Sequence, residues 1–303
     1  MRIGVVIPQG WHVEYRGWDD QAAWRRSADA ARAAERLGFE SIWLYDHFTT
    51  VPLPADEITF ESFTALSALA ALTNRVRVGH IVICTAFRNP ALTAKMICTL
   101  DTISGGRAEL GIGAGWKRDE WIAYGYPFPS TRERLAVLAD HLEVITRMLE
   151  PGESKRASYT GTYASVAGAI NRPKPVQKPR VPIVVGGNGP NVTWRLAARH
   201  ADELNLDGMD PSEVAECLPI IGSRCEEIGR DPATLHVSVH TWPESPGVAE
   251  PGSRRVDLLG AYADVGLSRV IIYLDEVVDG DEALEALAED ARAAGLEMAD
   301  ARP

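Results

Sequence analysis

Eight β-rich runs, each separated from the next by a stretch with helical periodicity, follow one another along the chain, and this alternation restricts the fold more than any single motif. The runs are Arg2 to Pro8, Ser41 to Tyr45, Val76 to Ile83, Ala108 to Gly113, Pro182 to Val185, Glu203 to Leu206, Leu235 to His240 and Arg269 to Tyr273. Between them, apolar residues recur at helical spacing. Examples are Trp24, Ala28, Ala31 and Ala34; Leu92, Met96, Leu100 and Ile103; Leu135, Leu138, Leu142 and Ile145; and Leu284, Leu287, Ala291 and Ala294. Ser130 with Glu133 forms the pattern of a capping box, and Asp210 before Pro211 marks a second helix start. Strands joined through a helix pair in parallel, so two architectures remain: a closed (β/α)8 TIM barrel and an open doubly wound sheet. Eight units favour the barrel.

The chain of 303 residues accommodates such a barrel, which takes about 250 residues, as one domain spanning 1–303. Three stretches fall outside the alternation and read as insertions: about 115–129, 151–180 and 241–254. The first and third leave the C-terminal ends of strands, where barrel enzymes build their sites. The second carries alternation at Tyr159 to Val166 that predicts a hairpin. A net charge of −11 argues against a nucleic-acid surface. Apolar runs fall short of the ~20 residues that a membrane helix needs, and Arg2 enters a strand at once, leaving no room for a leader. A cytoplasmic protein with a small-molecule partner is expected. Cys84, Cys98, Cys217 and Cys225 show no CxxC spacing, and no His/Cys cluster suggests a metal, so buried reduced thiols are expected.

In a barrel, the residues just past each strand face one cavity. Here they include Trp11 and His12, Asp46 and His47, Ala114 to Trp116, Gly186 to Asn188, Asp207, Trp242 and Asp275. Glycine, tryptophan and single polar groups suit a planar aromatic cofactor lying against backbone. A glycoside hydrolase would need a facing carboxylate pair, and it would leave the tryptophans and glycine loops unexplained. Gly113 to Gly115 reads as a strand exit that a flat ligand approaches closely. Trp11, Trp116, Tyr124 and Trp242 are the aromatic set for the substrate cavity. His47 has the chemistry to give or take a proton near neutral pH. Gly186 and Gly187 are either a phosphate-binding turn before a helix at about 191–199 or only a tight βα turn.

Three segments together, YDHF at 45–48, the block from Leu100 to Leu138 and VVGGNGP at 184–190, resemble the bacterial luciferase-like family, nearest the branch that uses the deazaflavin coenzyme F420. The resemblance spans roughly residues 1 to 275. It implies a barrel oxidoreductase, a homodimer, that moves a hydride between the deazaflavin C5 and an organic substrate. It places His47 against the ring in acid/base chemistry, and Asp46, Ile81, Val82, Ala114, Gly115, Gly186, Gly187 and Asn188 around the cofactor. Ile81–Val82 is the implied position of a non-proline cis peptide behind the ring, and Gly186, Gly187 and Asn188 that of the phosphate-bearing tail. The sugar-phosphate dehydrogenases of the family carry an acidic glutamate where this chain has Trp116, so an apolar substrate is expected. Two alternatives stay open: an FMN-dependent monooxygenase fed by a partner reductase, and a protein that binds the cofactor without turnover.

Overall fold

The computed structural model describes residues 1–152 and 155–299. Positions 153–154 of the second insertion, and 300–303 of the expected domain, lie outside the described residues. The strands are β1 (Arg2–Val6), β2 (Ser41–Leu44), β3 (Arg77–His80), β4 (Ile83–Cys84), β5 (Ala108–Gly113), β6 (Ala157–Thr160), β7 (Ser165–Ala169), β8 (Ile183–Gly186), β9 (Glu203–Asp207), β10 (His236–Thr241) and β11 (Arg269–Ile272). The order β3-β2-β1-β11-β10-β9-β8-β5 is parallel throughout, and β3 pairs back onto β5. That last pairing, Val78 with Ala108, closes the eight-stranded (β/α)8 barrel and excludes the open sheet.

The barrel strands are buried on nearly every residue, as expected of a parallel sheet covered by helices outside and side chains inside. The helix Asp20–Leu37 shows how the outer layer forms. Asp19 caps its first turn, Gly38 ends it in a left-handed conformation at φ +94°, and Ala23, Ala30, Ala31 and Ala34 face the barrel. Small residues on that face let helix and strands approach closely. Thr131–Leu149 starts with the Ser130/Glu133 capping box, and Pro211–Glu226 starts with Asp210 as cap. The N-terminal end of the barrel is filled by charge rather than by an apolar plug. Arg269 is buried and bonds Glu109 through two nitrogens at 2.7 and 3.0 Å, and Arg77 adds a second pair to the same carboxylate. Burial alone would raise the Glu109 carboxyl, but the two guanidinium groups outweigh it and hold it well below the usual carboxylate range.

One expected strand, Val76 to Ile83, is divided. β3 ends at His80, the Ile81–Val82 peptide is cis, and the chain resumes as β4, which pairs with Ile112 and Gly113 of β5. This bulge gives the neighbouring glycines a packing role. A Cβ on Gly111 would lie 1.8 Å from the His80 carbonyl oxygen, one on Gly113 would lie 2.8 Å from Val82 Cγ2, and one on Gly186 would lie 2.9 Å from Val82 Cγ1. These three glycines therefore make room for the bulge, and Gly113 and Gly186 also line the cavity.

The insertion at 115–129 stands at the exit of β5 and contains a short helix, Arg118–Ala123; that at 241–254 follows β10. The second insertion forms the expected hairpin, β6 with β7, tied to the helix Thr131–Leu149 by Tyr159 Oη donating to Asp140 at 2.7 Å. Among the described residues the four cysteines are free, no group of side chains is placed to hold a metal, and no helix is long and apolar enough to cross a membrane.

Candidate active site

The segment leaving β2 is fixed before it reaches the cavity. Asp46 is buried and accepts from Cys84 N at 2.9 Å, Ser62 Oγ at 2.7 Å and two nitrogens of Arg88 at 2.7 and 2.9 Å. Burial would raise its carboxyl, but Arg88 outweighs it and holds the group below the usual carboxylate range. Asp46 thus joins the exit of β2 to β4, and the next residue, His47, projects from a rigid base.

Nδ1 of His47 lies 2.9 Å from Oε2 of Glu120, which comes from the short helix of the first insertion. The other oxygen of Glu120 accepts from the backbone N–H of Phe48 at 2.5 Å and of Thr49 at 3.0 Å. A carboxylate only accepts, so Nδ1 carries the hydrogen and Nε2 is the ring atom left for exchange. The imidazole stacks on Trp11, with centroids 4.3 Å apart and planes 2° from parallel, and meets the edge of Trp116 at 5.7 Å. Lys117, nearly buried, donates to Thr49 Oγ1 at 2.9 Å and to Asp119 at 3.1 Å, holding the same loop from its far side.

A cavity of 510 Å³ opens over these groups. It is lined by Trp11, Asp46, His47, Ile81, Val82, Ala114, Gly115, Trp116, Gly186, Gly187 and Trp242. Two sequence-based site residues stand apart from it. Tyr124 is half exposed at the C-terminal cap of the short helix, and its hydroxyl donates to the Phe48 carbonyl at 3.3 Å. The side chain of Asn188 binds the backbone of Asp207 through both its groups, at 2.8 and 2.9 Å, so it cross-ties two loops rather than facing inward. Gly187 has φ +131°, and its N–H donates to the Asn205 carbonyl at 3.0 Å. The following helix begins at Thr193, whose side chain lines the cavity.

Glu120 was not singled out from the sequence, because an acidic residue in a charged stretch ordinarily reads as surface; the tryptophan beside it was the available signal. A second polar chain was also missed. Tyr45 Oη lies 2.9 Å from His240 Nε2, His240 Nδ1 lies 3.4 Å from Asp207 Oδ1, and Trp242 Nε1 donates to that same oxygen at 3.0 Å. Burial pushes the Tyr45 hydroxyl well above its ordinary value, so it stands protonated. Nε1 of Trp11 is buried without a hydrogen-bond partner among the described residues.

Residues 1–243 match the family described as luciferase-like monooxygenase. A relative from Microbacterium testaceum, named F420-dependent glucose-6-phosphate dehydrogenase, is 33% identical over 71% of this chain and 63% of its own length. Two solved structures share the fold. The coenzyme F420-dependent tetrahydromethanopterin reductase of Methanopyrus kandleri superposes with a TM-score of 0.76 at 20% identity, covering 95% of this chain and 97% of that one. Long-chain alkane monooxygenase gives 0.77 at 14% identity, covering 100% and 93%. By the sequence match and the closed barrel together, the chain belongs to the luciferase-like monooxygenase family of enzymes.

Proposed function

We propose that the protein is an oxidoreductase that binds coenzyme F420 and passes a hydride between the deazaflavin ring and a small organic substrate. The observation that carries this reading is the His47–Glu120 pair at the mouth of an aromatic cavity backed by Ile81–Val82. Relatives named for F420 support the choice of cofactor. The residues suit such a group: a cavity of 510 Å³ lies within the range of cofactor sites. Its wall at Ile81 and Val82 packs closely against Gly111, Gly113 and Gly186. Trp11 Nε1 is a buried donor that a ring oxygen would satisfy.

In this reading Ile81, Val82, Ala114 and Gly115 flank the ring, and Gly186, Gly187 and Thr193 border its phosphate-bearing tail. Asn188 acts by holding the Gly187 loop against β9, and Asp46 by fixing His47. The cofactor supplies the hydride donor or acceptor. The protein's part is to orient the ring, exclude water with Trp11, Trp116 and Trp242, and hold or move a proton at His47 Nε2. The reading includes the homodimer that the resemblance implies.

Titration with F420 and with FMN, followed by fluorescence quenching, tests the assignment. Tighter binding of F420, and its two-electron reduction or oxidation with a substrate, is the expected result. The family name and the alkane monooxygenase neighbour favour a second reading, an FMN-dependent monooxygenase served by a reductase. Preference for FMN, with oxygen consumed when reduced FMN is supplied, would replace the first reading by the second.

A further inference from the structure

We propose that the cavity contains a subsite for an ammonium group, in which Tyr45 Oη and the Asp207 carboxylate accept hydrogen bonds from a protonated amine carried by an otherwise apolar substrate. The proposal rests on the reading of this cavity as the place where cofactor and substrate meet, and adds to it the substrate's chemical class.

Tyr45 follows β2, Asp207 ends β9 and His240 lies in β10, and all three line the cavity. Tyr45 and His240 are 4% and 2% exposed, whereas the Asp207 side chain is 57% exposed. The hydrogen-bond directions follow from the end that has no choice. A carboxylate only accepts, and Asp207 Oδ1 lies 3.4 Å from His240 Nδ1, which favours the ring hydrogen on that nitrogen. Nε2 is then the acceptor, and Tyr45 gives it the phenol hydrogen across 2.9 Å. What remains for a ligand at Tyr45 is a lone pair of Oη. Asp207 offers Oδ2, since Trp242 Nε1 and His240 Nδ1 both face Oδ1. Both groups can therefore accept from a ligand, and neither can donate to one.

A neutral donor would satisfy these acceptors, but the charge around them selects a cation. Of the carboxylates lining the cavity, Asp46 is answered by Arg88, and Glu120 by His47 Nδ1 and two backbone N–H groups. Asp207 has no arginine or lysine within ion-pair distance among the described residues. Two more carboxylates, Asp275 and Glu244, lie beside His12, whose ring stacks on Trp242 at 5.6 Å. Burial lowers His12 below its ordinary value, so this ring adds no compensating charge at neutral pH. A cleft lined by uncompensated charge of one sign concentrates ligands of the other. Tryptophan is also the ring that best attracts a cation, and Trp11, Trp116 and Trp242 line the same cavity. The same inventory disfavours an anionic substrate. Lys117, the one lysine or arginine among the lining residues, is already bonded to Thr49 and Asp119.

The test titrates F420-loaded protein at neutral pH with benzylammonium, benzyl alcohol and benzoate, probes of nearly one size that differ in charge, and reads affinity by calorimetry. Benzylammonium should bind at least about 10-fold more tightly than benzyl alcohol, with benzoate weakest, and the margin should narrow as salt is raised. Asp207→Asn keeps an acceptor for Trp242 but removes the charge, and the preference for benzylammonium should vanish. Tyr45→Phe should weaken benzylammonium several-fold and leave benzyltrimethylammonium, which has no N–H to donate, unchanged. Should either variant fail to fold, the parent's three affinities and their salt dependence decide alone. Equal or tighter binding of benzyl alcohol or benzoate, or a preference that survives Asp207→Asn, overturns the subsite while the F420 reading stands. A protein that takes up FMN and not F420 removes that reading instead, and the same titration of the FMN-loaded protein then decides the subsite separately.

Discussion

Nδ1 of His47 lies 2.9 Å from a Glu120 oxygen 73 positions away in sequence, and that one contact fixes which nitrogen of the imidazole can work in the cavity. A group that exchanges protons beside a hydride-transfer centre must present the right atom before the reaction begins. Glu120 does this, and with its other oxygen it also ties down the backbone of Phe48 and Thr49.

His47→Asn is therefore expected to bind the deazaflavin normally and to lose about 10²- to 10⁴-fold in turnover. Single-turnover mixing of loaded enzyme with substrate separates the cases. A slow chemical step supports the assignment, loss of cofactor makes His47 a binding residue, and a parental rate means the proton comes from another group.

Glu120→Gln keeps an acceptor for the two backbone N–H groups but presents an amide N–H₂ to His47, driving the imidazole hydrogen to Nε2. Turnover should fall by about 10- to 100-fold, as is usual for groups that orient a functional histidine. Glu120→Ala removes the acceptor altogether. It leaves two N–H groups without partners, at about 1–3 kcal/mol each where burial is complete, and the denaturant midpoint should drop accordingly. Parental turnover in Glu120→Gln would reduce this contact to a structural tie.

His80 and His200 are buried, and burial lowers both to about 4, below the ordinary value near 6.5. In the unfolded chain they take up protons first, so stability is fully present above about pH 6.5 and declines as pH falls toward 4. Below 4 both states are protonated and this slope ends. Each histidine contributes a slope approaching about 1.4 kcal/mol per pH unit within that window. Urea midpoints at successive pH values should show the decline, and His200→Gln should flatten it by one histidine's share; an unchanged slope would mean that His200 charges freely in the folded protein.

The barrel was legible because its signal is long and repetitive: eight apolar runs and the stripes between them report burial, and burial sets the architecture. His47 and Asp46 were legible because position at a strand exit singles them out. Glu120 and the Tyr45–His240 contact were not, since each joins segments far apart in sequence, and nothing local to Glu120 or His240 marks the partner. Tyr124 comes three residues after Trp121, yet the short helix ends before it, and Tyr124 is exposed as the C-terminal cap while Trp121 is buried. The glycines of β5 are ambiguous in the sequence for a related reason. A glycine records that something lies close to the backbone, but not whether that neighbour is a ligand or another part of the chain.

Glycines elsewhere give the contrasting case. Gly260 lies within the helix Ser253–Val265, and a Cβ there meets nothing within 4 Å. Gly260→Ala should raise stability by about 0.5–1 kcal/mol through helix propensity. Gly111→Ala, by contrast, sets a methyl against the His80 carbonyl and should abolish soluble folded protein or lower its midpoint sharply. Equal effects of the two substitutions would contradict the packing described for the bulge.

The role of Gly186 is decided by a double-mutant cycle with Val82. A methyl at Gly186 would stand 2.9 and 3.2 Å from the two Val82 γ-carbons, so Gly186→Ala must displace the bulge that backs the cavity. Val82→Ala removes both γ-carbons and with them the obstruction. If the glycine serves the bulge, the double variant should be more stable than the sum of the single effects predicts, by a coupling within the ~0.5–3 kcal/mol typical of residues in contact. Its affinity for F420, read by fluorescence quenching, should recover in parallel. If Gly186→Ala weakens cofactor binding equally with and without Val82→Ala, the space is required by the cofactor's tail, and the approach of ligand to backbone outweighs the packing of Val82.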